Sequence, residues 1–122
     1  VELIDFLHAR INEDEQAAHN AASMDGHDWA PFGPGADDFD RVEGTSATTV
    51  GYDMGDSAAR HIARHDPARA LREAGAKRRT IELVKAIVGN GGWWEGGKAE
   101  DILYDLAAVY SDHPDYNTEW AS

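Results

Sequence analysis

The first apolar positions of the chain, Leu3, Ile4, Leu7, Ile11 and Ala18, recur at intervals of three, four and seven. That spacing lines one face of a helix. It predicts an N-terminal helix within residues 1–22, with Glu13, Asp14 and Glu15 on the exposed side and Gly26 past its end. Between 27 and 54 the pattern changes. Gly33, Pro34 and Gly35 interrupt any helical repeat, while Phe39–Glu43 and Ala47–Asp53 alternate. Period two puts Thr48, Val50 and Tyr52 on one strand face, and Gly44, Thr45 and Ser46 supply the turn. The segment reads as an antiparallel β-hairpin, with a third strand near Trp29. A lone hairpin is marginal in water, so Trp29, Phe32 or Phe39 should anchor it on helices.

Residues 56–88 read as helix, corner, helix. Asp56 suits the N-cap of a short helix from Ser57 to about Arg64. At "HDPAR" the residue before proline is pushed away from α geometry, so the chain turns at His65–Asp66. Asp66 then caps a second helix, and Pro67 fits its first position, where a missing N–H costs nothing. Ala70, Ala74, Ile81, Val84 and Val88 form its apolar stripe, with Glu73–Lys77 and Arg78–Glu82 as i,i+4 pairs. Residues 89–97, "GNGGWWEGG", read as a loop carrying Trp93 and Trp94. Residues 98–122 hold a last helix, to about Ser111, and a tail. Ile102, Leu103, Leu106, Val109 and Tyr110 give that helix its apolar face. The expected architecture is one α+β domain, 1–122: three main helices and one short helix packed with a small antiparallel β-hairpin.

Composition narrows the chemistry. The 122 residues include no cysteine, which excludes disulfides and thiolate metal clusters and leaves His, Asp and Glu as side-chain ligands. No apolar run nears the ~20 residues needed to span a bilayer. The opening "VELIDFLHARINEDE" lacks the basic leader of a signal peptide. A cytoplasmic location without a membrane partner is expected. The formal net charge is −12, unevenly spread. Between residues 60 and 85 eight basic side chains face three acidic ones, a surplus of five, and the remaining three basic and twenty acidic side chains leave −17. Such asymmetry marks either a nucleic-acid surface or a basic segment covered by acidic ones. The acidic surround repels phosphate overall, which favours the second reading.

His61 and His65 are four apart, and on one continuous helix they would share a face. Asp66 adds a carboxylate, and His27 or His113 could complete a metal set with His61 and His65. The corner at His65–Asp66 and the neighbouring Arg60 and Arg64 oppose that, and no glutamate stands between the histidines as in HExxH sites. No metal and no cofactor is expected. Ser23, Ser46, Ser57 and Ser111 sit in no nucleophile motif, so no catalytic residue is assigned. Trp93, Trp94 and Trp120 are candidate partner-binding residues, because tryptophan is favoured at interface hot spots. Arg72 joins them from the basic helix.

"HIARHDPARALREAGAKRR" (61–79), "AVYSDHPDY" (108–116) and "LIDFLHARINEDEQAA" (3–18) resemble a family of small actinobacterial and actinophage proteins of unknown function. The resemblance covers about two thirds of the chain and implies such an origin, but no activity. Family members often carry cysteines before the last helix, where this chain has "GNGGWWEGGKAED", so no metal role carries over. If the last helix packs antiparallel to the basic one, the two motifs meet. His61, Arg64, His65, Asp66, Arg69, Asp112, His113 and Tyr116 would then form a polar cluster, with Asp112 or Asp115 paired to Arg60, Arg64 or Arg69. The favoured function is a non-enzymatic protein-interaction module whose partner is a host or phage protein. The alternatives are a metal-binding protein or hydrolase using His61, His65, Asp66 and His113, and a nucleic-acid binder or DNA mimic.

Overall fold

The computed structural model describes residues 2–35, 38–90 and 93–121, with side chains for all of these except 93–96. In chain order the elements are α1 (Leu3–Asp25), β1 (Ala30–Phe32), β2 (Arg41–Glu43), β3 (Thr49–Gly51), α2 (Asp56–Arg64), α3 (Pro67–Gly89) and α4 (Trp93–Ala108). Short 3-10 turns lie at Thr45–Ala47 and Thr118–Trp120. The fold is α+β: among the described residues, four helices and a three-stranded antiparallel sheet. Two compact units are distinguishable, Val1–Glu13 with Ala74–Ser122, and Asp14–Glu73.

The core of the first unit is Phe6, Leu7 and Ile11 of α1, Ala74, Ile81 and Val84 of α3, and Ala99, Leu103 and Ala107 of α4. Phe6, absent from the predicted stripe, is only 1% exposed. The buried line of α4 runs i, i+4, i+8 through two alanines, which lets neighbouring backbones approach closely. Ile102 and Val109, predicted for this face, are exposed, and so is Val88 on α3. Angular position decides burial here, and it outweighs side-chain hydrophobicity. A second correction concerns the start of α4. Its backbone is helical from Trp93, whereas the glycines of "GNGGWWEGG" predicted a loop to residue 97. Glycine inside a helix costs about 1 kcal/mol relative to alanine, and the packing of Ala99 and Leu103 offsets that cost.

In the second unit the strands pair in the order β1-β2-β3. Val42 stands opposite Pro31 on one side and Gly51 on the other. Pro31 cannot donate to a ladder, and it sits on an edge strand, where that is tolerated. The third strand near Trp29 is present as β1. Val42 is fully buried with Ala59 and Ala63 of α2, which packs on β1 and β2. Trp29 and Phe39 join this core, whereas Phe32 is half exposed with the Arg41 guanidinium 4.6 Å from its ring centroid. The left-handed Gly26 (φ 78°) closes α1, its N–H donating to the Ala22 carbonyl at 2.8 Å.

Asp56 is the first residue of α2, whose N-cap is Gly55, and not the cap itself. Its carboxylate is engaged elsewhere: it accepts from the Phe39 N–H at 3.2 Å and from Arg60 Nε at 2.9 Å. No helix among the described residues is long and apolar enough to cross a membrane.

Candidate functional site

The corner between α2 and α3 lies in the second unit. Asp66 and Pro67 act there as their order predicts. One Asp66 oxygen accepts from the Arg69 N–H at 2.9 Å, capping α3. The other accepts from the Trp29 N–H at 3.1 Å, and the Ala68 N–H donates to the His27 carbonyl at 2.9 Å. Asp66 therefore caps a helix and also clamps the segment after α1. Trp29 is further fixed by its indole N–H, which donates to the Gly26 carbonyl at 2.9 Å.

His61 and His65 are exposed, with ring centroids 4.4 Å apart. His65 Nδ1 donates to the His61 carbonyl at 2.8 Å, which occupies that nitrogen. Among the described residues no group of three His, Asp or Glu side chains is placed to hold a metal. Arg69 pairs with Glu73 at 2.9 Å and Arg60 with Asp56 at 2.9 Å. Arg64 and Arg60 flank an open cleft beside Trp29 and Pro31, and Arg72 is exposed.

Asp112, His113 and Tyr116 lie in the first unit. His113–Tyr116 is a turn closed by the Tyr116 N–H on the His113 carbonyl at 3.0 Å, with Pro114 at the favoured second position. The turn is seated on α1. The His113 ring meets the Phe6 ring edge-on at 5.7 Å, and Arg10 Nη1 is 2.6 Å from His113 Nδ1. The Asp115 N–H also reaches Nδ1, at 3.0 Å. Arg10 is 8% exposed, and a buried guanidinium needs charged or hydrogen-bonding partners. It has Glu13 at 2.9 Å, Asp115 at 3.9 Å, and the Phe6 ring 5.2 Å from its Cζ. Asp115 thus pairs with Arg10. Asp112 is exposed.

Arg10 was missed by the sequence reading, yet a signal existed. It is the only Lys or Arg before residue 41, and it follows Leu3, Phe6 and Leu7 at the spacing of the buried face. Lys77 makes a parallel contact, donating to the Tyr110 hydroxyl at 3.0 Å.

Phe6 organises the aromatic residues of the tail. Trp120 is 5.1 Å, Tyr116 6.1 Å and Tyr110 6.3 Å from it, and Tyr116 meets Trp120 edge-on at 5.4 Å. Asn117 caps the last turn by accepting from the Glu119 N–H at 2.9 Å. Trp120 and Tyr116 remain half-buried and line an open groove of about 620 Å³ with Asp101, Tyr104 and Asp105 of α4. A second groove of about 350 Å³ shares Trp120 and Tyr104 and adds Glu2 and Glu100. The side chains of Trp93 and Trp94 lie outside the described residues.

Fold and site together define a small α+β protein whose aromatic last turn is docked on its first helix and borders an acidic groove. The chain belongs to a family of unknown function (DUF6221), whose model matches residues 1–122. No curated protein and no solved structure matches it.

Proposed function

We propose that this protein, of actinobacterial or phage origin, is a non-enzymatic protein-interaction module that docks its partner on the Trp120 face. The observation that carries this reading is the groove itself. Trp120 and Tyr116 are held by Phe6 while one side of each remains open to solvent beside Tyr104. Rigid aromatic rings bordering a groove supply contact area at little entropic cost, and tryptophan and tyrosine dominate interface hot spots. At the corner, both Asp66 oxygens are already engaged in capping and clamping. The test is crosslinking in host extract with a photoreactive residue in place of Ala108, which lines the groove. A discrete adduct that disappears in Tyr104→Ala, with that variant still folded by circular dichroism, supports the reading. Identical adducts from wild type and Tyr104→Ala contradict it.

A further inference from the structure

The groove between α4 and the last turn has a definite charge. Asp101 and Asp105 are one turn apart on α4 and both are exposed. Neither carboxylate has a hydrogen-bond or ion-pair partner among the described residues. Among the described residues, no Lys or Arg lines this groove or its neighbour, where Glu2 and Glu100 add two further carboxylates. Elsewhere in the same unit, Arg10 has Glu13 and Asp115, and Lys85 has Glu82. The tail itself orients Tyr116 and Trp120 as a right-angled pair, at 81°.

Unmatched carboxylates beside fixed aromatic faces form a receptor for an organic cation. The carboxylates attract the charge, and the ring faces attract it through their quadrupoles. An arginine side chain satisfies both, since its planar guanidinium stacks on a ring while its fork donates to a carboxylate. We infer that the occupant of this groove is a basic segment of a partner protein, read through arginine side chains against Asp101, Asp105, Tyr104 and Trp120. The inference rests on the docking reading above and adds the chemistry of the partner.

The test titrates the whole chain with a six-residue peptide alternating arginine and glycine, and with its citrulline counterpart, which keeps the shape and loses the charge. The arginine peptide should bind with a salt-sensitive affinity, and the citrulline peptide about ten-fold or more weakly. Asp101→Asn/Asp105→Asn should weaken arginine-peptide binding about ten-fold, whereas Asp25→Asn/Asp53→Asn, which removes the same charge from the other unit, should change it less than about two-fold. Equal losses in the two double variants would mean attraction to net charge only and would overturn the inference. So would equal binding of the citrulline peptide, which leaves the docking reading standing. Absence of arginine-peptide binding overturns the inference, and the Ala108 crosslink then decides the docking reading separately. Self-association abolished by Asp101→Asn/Asp105→Asn would assign the groove to a second copy and overturn the partner.

Discussion

Two places in the molecule use nearly the same three residues to opposite ends. At the corner, His65, Asp66 and Pro67 turn the histidine outward and the aspartate inward, where it caps α3 and holds Trp29. At the tail, Asp112, His113 and Pro114 turn the aspartate outward and the histidine inward, against Phe6 and Arg10. The order of residues before the proline decides this. An aspartate directly before a helix-initiating proline is an N-cap. A histidine in that place starts a turn with no helix behind it, and its ring is free to pack. The comparison teaches that the first motif acts through its own backbone, whereas the second acts only through a partner far away in sequence.

The largest effect should come from removing the partner of the tail. Phe6→Ala deletes the ring that contacts Tyr110, His113, Tyr116 and Trp120, and should cost about 3–5 kcal/mol in urea unfolding. An effect below about 1 kcal/mol would mean that the tail is not seated on α1. Next, Arg10→Met keeps the apolar stem but removes the charged contacts, and should cost about 1.5–3 kcal/mol. A double-mutant cycle with His113→Ala should show coupling of about 0.5–3 kcal/mol, and strict additivity would separate the two residues.

The corner should respond less. Asp66→Ala removes a cap and a clamp, and about 1–2 kcal/mol is expected by thermal unfolding. The smallest effect concerns Asp56. The hydrogen bond from Arg60, reinforced by the Phe39 N–H, holds its carboxyl below the ordinary value of 3.8. Because the folded value is the lower one, its contribution is present above the unfolded value and is lost as the pH falls through the folded value. Asp56→Asn should therefore flatten the acid limb of the stability profile, and an unchanged limb would contradict this.

What was legible in the sequence follows the same division. The α2–α3 corner was readable to within a residue, because capping aspartate and N1 proline act on their own backbone. The strands at Arg41–Glu43 and Thr49–Gly51 and the turn after Glu43 were readable from alternation and glycine. The start of α4 was not, since local glycine content argues for a loop and packing of Ala99 and Leu103 overrides it. Its buried face was misplaced by ranking Ile102 and Val109 above alanines. The seat of His113 was hidden altogether, because Arg10 is 103 positions away.

The two regions each carry an indole, and this allows one direct measurement of the central claim that the tail presents the docking face. Nitrogen-15 NMR resolves the Trp29 indole N–H, engaged by the Gly26 carbonyl, from that of Trp120 at the groove. On addition of the arginine–glycine peptide the Trp120 signal should shift progressively to saturation while the Trp29 signal stays in place. A shift of Trp29 with Trp120 unmoved would place binding in the other unit and contradict the account.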